Sequence, residues 1–349
     1  MRPTHAPTNL VTGATGLIGH SIVTALRVRG RPVRALVRDV ARARALLPDD
    51  VELVRGDVTD RASLDDAARG CEFIYHAAGL PEQWLPDPHT FHRVNVDGTR
   101  NIIDAARAHA VGSLIYTSTI DVFEGMSGQR YDESRIDPLP KGTHYERSKQ
   151  VADRLVIDAT GTGPASLRTA LLHPAGAYGP GPAGSRGLNH FFQDLRDGKI
   201  PMLLPGGMPV VYAPDVGEGH VLAADAARPG DRFILSGGYH TLSELAEETL
   251  RALAELRHTP RRRAAPPVMP MPIVRLVSRA GEALSRLSKR PPLIPAGQLH
   301  FLMWGARPDA SRARDRLGWT PTPLAEGLRA TLRYLARHAG DPARDGGVA

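Results

Sequence analysis

The sequence predicts an α/β protein, a doubly wound parallel sheet with a smaller C-terminal lobe. Three observations predict it. Short apolar runs alternate with stretches of helical period along most of the 349 residues, the order that a parallel sheet with crossover helices requires. The first apolar run opens directly onto three evenly spaced glycines and a helix. Near mid-chain, a tyrosine precedes a lysine by about one helical turn.

Asn9-Leu10-Val11 ends the first strand, read at 8–12. It runs into Thr12-Gly13-Ala14-Thr15-Gly16-Leu17-Ile18-Gly19 and a helix at 17–29. Strand, glycine turn and helix in that order make a cradle for a pyrophosphate. The glycines let the backbone turn tightly and approach phosphates, and the helix start offers unpaired N–H groups. The Gly-x-x-Gly-x-x-Gly spacing is not that of the commonest dinucleotide fingerprint, so the flanking strand and helix carry the reading. Further strands are expected at 33–37, 51–55, 73–77, 113–118, 166–172 and 232–235. Helices are expected at 62–68, 91–109, 144–159, 243–256 and 324–338.

Tyr145-Glu146-Arg147-Ser148-Lys149 stands in a chain with only four lysines, Lys141, Lys149, Lys199 and Lys289, against 40 arginines. Generic positive charge here is arginine, so a lysine at this spacing suggests a chemical requirement. Positions i and i+4 share a helix face. There an ammonium ion can favour a phenolate and lower the tyrosine pKa from about 10 towards neutrality. A solvated helix pair is the plainer alternative.

Together these residues resemble the short-chain dehydrogenase/reductase superfamily in its extended branch, the epimerase/dehydratase group. Other pieces match in order: Gly56-Asp57-Val58-Thr59-Asp60, His76-Ala77-Ala78-Gly79, Asn95-Val96-Asp97-Gly98-Thr99, Tyr116-Thr117-Ser118-Thr119, and His173-Pro174 through Tyr178-Gly179-Pro180-Gly181. Asp309-Ala310-Ser311-Arg312-Ala313 and Leu317-Gly318-Trp319-Thr320-Pro321 complete a resemblance over roughly residues 8–338. It implies a Rossmann-type NAD(P)-binding domain at 8–178, rejoined by 216–238, and a substrate-binding lobe at 179–215 and 239–338. The tail 339–349 has the composition of a disordered segment.

The resemblance also implies roles. Gly13, Thr15, Gly16, Leu17, Ile18 and Gly19 would hold the cofactor phosphates, Asp57 and Val58 the adenine, and Ala77, Ala78 and Gly79 would line the cofactor. Tyr145 would exchange a proton with the substrate oxygen. Lys149 would hold the phenolate and the nicotinamide ribose, and Thr119 would polarise the substrate oxygen. Ser118 competes with Thr119, since strand alternation lets only one face the pocket. His173 stands before Pro174 where relatives carry arginine; a contact near the nicotinamide and a structural histidine both remain open.

At the end of the second strand, Val37 occupies the place of the acidic residue that holds both ribose hydroxyls in NAD-specific relatives. Arg38 follows, with Arg42 and Arg44 nearby, and suits a 2′-phosphate. Asp39 is the competing feature. NADP(H) is favoured and NAD(H) is the alternative.

The Val33–Asp39 strand resembles dihydroflavonol-reductase-type enzymes, and Leu114–Val122 resembles 3β-hydroxysteroid dehydrogenases. Both imply an oxidoreductase acting on a ketone or secondary alcohol of a bulky, largely apolar molecule. Trp84, Phe123, Tyr178 and Phe191 are candidates for substrate contact or for lid core. Ile120-Asp121 follows the hydroxyl residue where dehydratases carry Asp-Glu, so that chemistry recedes. The alternatives are a nucleotide-sugar epimerase with tightly bound NAD and a non-catalytic NADP-sensing protein, which need not keep the Tyr/Lys pair.

Composition narrows the rest. No run of about 20 apolar residues is present, and no signal peptide is expected, since no apolar segment follows Met1–Thr8. Cys71 is the only cysteine; no intrachain disulfide can form, core packing is its expected role, and the cytoplasm is the default expectation for location. His89-x-x-His92 lacks further ligands, so no metal is expected. The net charge is +7, but residues 251–349 hold 18 basic and 7 acidic residues. Arg261-Arg262-Arg263 reads as a solvated loop, with no nucleic-acid-binding motif beside it. Within 273–287, Ile273, Leu276, Val277, Ala280, Leu284 and Leu287 form a helical stripe, with Arg275, Arg279 and Arg286 largely off it. Packing of that stripe on the small lobe is favoured over contact with an anionic membrane. A homodimer is the family expectation.

Overall fold

The computed structural model describes residues 8–338 apart from 83, 162–166, 183–186, 258–263 and 289. The tail 339–349 and the Arg261–Arg263 run lie outside the described residues.

The strands are β1 (Thr8–Thr12), β2 (Val33–Val37), β3 (Glu52–Arg55), β4 (Cys71–His76), β5 (Ser113–Thr117), β6 (Arg130–Tyr131), β7 (Arg168–Pro174), β8 (Gly176–Tyr178), β9 (Gly207–Tyr212), β10 (Asp231–Leu235), β11 (Gly238–Thr241) and β12 (Arg307–Pro308). Seven form one sheet in the order β10-β7-β5-β4-β1-β2-β3, with every neighbouring pair parallel. Helices cover both faces, which explains why these strands are apolar almost throughout. Alternation sends neighbours to opposite layers. Val11 packs with Ile22, Leu26 and Phe233 on one side, Leu10 with Ile102, Leu114 and Val156 on the other. The strand order reverses at β1 and β4, which opens a crevice at their carboxyl ends.

The strands and helices expected from the sequence lie within a few residues of those positions, with one break, while helices such as Val40–Leu46, Leu188–Arg196 and Ala213–Ala226 are not among them. The helix expected at 91–109 is π-helical over His92–Asp97 and α-helical over Gly98–Ala108. The wider turn presents Asn95, whose Oδ1 accepts from Leu80 N (2.8 Å) and whose Nδ2 donates to Ser148 Oγ (2.9 Å). Such bulges gather at functional sites.

A three-stranded sheet, β11-β9-β8, carries a separate core with Phe192, Leu245, Leu253, Leu302 and Leu328. The segment 239–338 is not all of one body with it: Ala306, Ala310, Ala313, Leu317 and Trp319 belong to the core of the large sheet. β12 pairs with β6, Asp231 accepts from Arg312 (2.9 Å) and Arg316 (3.0 Å), and Trp319 Nε1 donates to Asp215 O (2.7 Å).

The helix Met271–Ser288 corrects one expectation. Its inward face is Val274, Ser278 and Ser285, while Ile273, Leu276 and Leu284 are 48%, 70% and 65% exposed. The small face is what permits close packing. Ser278 Oγ donates to Ile294 O (3.0 Å), and a Cβ at Gly281 would lie 3.2 Å from Pro292.

Candidate active site

The crevice begins with the turn after β1. Gly13 has φ +71°, and a Cβ there would lie 2.7 Å from the backbone of Ala77 and Ala78, so only glycine lets the two strand ends meet. Gly19 is closer still: its Cβ would sit 2.1 Å from Gly13 O. The helix Leu17–Val28 starts at Gly16 with no side-chain cap, so its first N–H groups remain for an anion. Thr15, Leu17 and Ile18 are half-buried around this turn. Ala78 N donates to Thr12 Oγ1 (3.2 Å), which also meets His76 Nδ1 (2.7 Å). This cradle fits a dinucleotide pyrophosphate.

The neighbouring positions fit its other parts. Arg38 is exposed at the end of β2. Asp39, its competitor, accepts from Arg42 N (2.9 Å) and caps the next helix. Asp57 Oδ1 accepts from Thr59 N and Oγ1, both at 2.8 Å, which shapes the loop that carries buried Val58. Gly79 is exposed and Ala77 half-buried at the end of β4.

The helix His144–Ala159 starts with a capping box: Thr143 Oγ1 accepts from Glu146 N (3.1 Å) and Glu146 Oε2 from Thr143 N (2.9 Å). This fixes where Tyr145 and Lys149 lie. Lys149 is buried and does not meet Tyr145. Its ammonium donates to Thr117 O (2.7 Å) and Tyr116 OH (2.9 Å) on β5, and burial lowers its pKa to about 8, with Asp153 opposing. Tyr145 is pushed up, not down, by burial and then by the charge of Asp121, while a hydrogen bond with Thr119 opposes. The expectation of a lysine-depressed tyrosine is thus not met in the protein alone, because backbone and phenol groups of β5 take the ammonium.

Alternation at the end of β5 separates the two hydroxyls. Ser118 Oγ donates to Asp153, whose other oxygen lies 2.8 Å from His173 Nε2. Asp153 and His173 are both fully buried, and the imidazole packs 4.5 Å from the Phe123 ring. The side chain of His173 therefore faces inward, beside Pro174. Thr119 faces Tyr145 instead, and its Oγ1 donates to Asp121 Oδ2 (2.8 Å).

Phe123 and Tyr178, candidates for substrate contact or for core, are core: they are 0% and 1% exposed. Phe123 packs on Tyr131, and Tyr178 on Phe192 edge to face. Phe191 is half-buried against Phe192, and Trp84 is half-buried beyond β4.

Two acids beside Tyr145 escaped the sequence reading. Asp121 is 5% exposed and its Oδ1 has no hydrogen-bond partner. Burial, then the charge of Glu146, raises its pKa to about 7. Glu82 has both carboxyl oxygens buried without partners, and burial raises it too. The available signal was an acid inside the apolar run Ile120–Phe123. A cavity of ≈ 310 Å³ opens at the start of the tyrosine helix, lined among others by Lys141, Glu146, His300, Phe301 and Trp304. Among the described residues no cluster of His, Cys, Asp or Glu could hold a metal ion.

Comparison with known proteins gives the family. The NAD dependent epimerase/dehydratase family matches residues 9–235. Sterol demethylase protein B of Methylococcus capsulatus is 33% identical over 321 residues, 90% of this chain and 94% of the relative. The 3beta-hydroxysteroid-dehydrogenase/decarboxylase isoform 1 of Arabidopsis thaliana is 27% identical over 352 residues, 93% of this chain and 78% of the relative. Among solved structures, that of gox2253 is 26% identical with a TM-score of 0.78, covering 95% of this chain and 98% of that one.

Proposed function

Because the chain belongs to the NAD dependent epimerase/dehydratase family, in the extended short-chain dehydrogenase/reductase branch, we propose that it is an NADP-dependent oxidoreductase that interconverts a ketone and a secondary alcohol on a bulky, apolar, sterol-like substrate. Enzymes of this family act on CH–OH groups. The observation that carries the reading is the convergence of Thr119, Tyr145 and Asp121 at the end of β5, beside the glycine cradle. The names of the two relatives above support a sterol-like substrate. NADP is supported by Arg38, exposed at the end of β2 and of a residue type suited to bidentate phosphate contact, and by Asp39, whose carboxylate caps the next helix.

The bound nicotinamide supplies or takes up the hydride. Tyr145 gives the matching proton to the substrate oxygen, or accepts it in the reverse direction. Thr119 holds that oxygen, but its single proton points at Asp121 Oδ2 while Asp121 is ionised. A protonated Asp121 reverses the bond and donates to Thr119, which frees the threonine proton for the substrate. Lys149, with two of its three N–H groups on β5, has one left for the cofactor ribose.

The test is a titration of purified protein with NADPH and NADH, after mass spectrometry for bound nucleotide. NADPH should bind at least about tenfold tighter, and Arg38→Ala should abolish the difference. Equal wild-type affinities would overturn the 2′-phosphate assignment. Protein that arrives loaded with NAD would replace the reductase by an epimerase.

A further inference from the structure

We propose that the helix Met271–Ser288 docks the protein on an anionic lipid surface. Its outward stripe is Ile273, Leu276 and Leu284, 48%, 70% and 65% exposed. Their exposure, against the buried face of Val274, Ser278 and Ser285, turns the stripe towards solvent. Leu293, 84% exposed, follows the helix on a loop that runs past Gly281. Leucines displayed this way to water find a favourable environment at the boundary between headgroups and acyl chains.

Charge selects the occupant. Arg275 and Arg279 are exposed, one turn apart beside Leu276, and neither has an ion pair among the described residues. The helix has one acid, Glu282, which is half-buried and whose Oε1 accepts from Ala296 N (3.0 Å). The charged side chains that this helix exposes, among those described, are therefore both basic. A second copy laid on it would bring exposed arginines towards exposed arginines, with only the half-buried Glu282 to offset them. Lipid phosphates meet both needs at once: arginine stems lie along the apolar boundary and their heads reach the phosphates. No helix among the described residues is long and apolar enough to cross a membrane, so this helix would lie in the surface plane. The next helix, Ala296–Trp304, lines with Phe301 and Trp304 the cavity beside the tyrosine helix. An apolar ligand leaving the bilayer at the docked face would reach that cavity along one packed pair of helices. The docking itself rests on the surface alone and not on the substrate reading.

The experiment is flotation of the full-length protein with vesicles of phosphatidylcholine, alone or mixed with phosphatidylglycerol. The protein should rise with the mixed vesicles and stay behind with the neutral ones. Leu276→Ser with Leu284→Ser should lower partitioning by about tenfold or more, and Arg275→Gln or Arg279→Gln by about fivefold each. All four positions are exposed, so melting temperature and nucleotide binding should be unchanged. Three results would overturn the proposal. These are no flotation of the wild type, flotation unaffected by the paired serines, and a dimer in sedimentation velocity that the paired serines split, which would give the face to a second copy.

Discussion

Asp121 is the residue whose charge state should govern the site. Its carboxyl is raised from 3.8 to about 7, by burial first and by the repulsion of Glu146 second, with Thr119 and Lys141 opposing. The folded protein therefore holds a proton there between about pH 4 and 7 that the unfolded chain has released. Stability from this group is highest below pH 4 and declines as pH rises through 7, by up to about 4 kcal/mol. Asp121→Asn should flatten that decline and raise the melting temperature most above pH 7, as a pH series of thermal melts would read. The amide can also donate to Thr119 permanently. Ketone reduction should then fall through pH 7 in the wild type and hold in the variant. Tyr145 gives the complementary test: Tyr145→Phe should bind nucleotide as before and lose turnover by about 10²–10⁴-fold. Near-normal turnover would remove it from the mechanism.

At the scale of elements, the strand–turn–helix around Gly13–Gly19 joins fold and site most tightly. Gly19→Ala should cost several kcal/mol, on the order of an overpacked core position, because the new Cβ would meet Gly13 O at 2.1 Å. A thermal melt and nucleotide titration should fail together. This element was legible in the sequence because backbone sterics leave no other residue type there. The end of β5 was half legible. Alternation says that Ser118 and Thr119 part company, but only the packing of β5 against the tyrosine helix shows that Ser118 goes to Asp153. The Asp153–His173 pair joins a helix to a strand 20 residues on, and no local pattern announces it. The helix Met271–Ser288 was misread for a related reason. An apolar stripe normally faces inward, but here the close-packed face is made of small residues, Ser278, Gly281 and Ser285, whose value lies in how near they let the chain approach.

For the whole molecule, the C-terminal quarter is not an appendage of the lobe. Asp231, with 9% of its side chain exposed, holds both Arg312 and Arg316. Asp231→Ala should cost about 1–2 kcal/mol, given that the two arginines keep solvent contact. Hydrogen exchange over 306–319 should quicken more than over β1 or β4; uniform quickening would contradict a local fastening. The fastening reaches the site through β12 on β6 and through Trp304 Nε1, which donates to Gly125 O (2.8 Å). Those contacts pin the stretch between Thr119 and Tyr145 with residues that emerge from the ribosome some 160 positions after the tyrosine. At about 5–20 residues per second that is a delay on the order of ten seconds or more. The nucleotide cradle can therefore form early in synthesis, while the stretch before Tyr145 is pinned only after residues 304–308 have emerged.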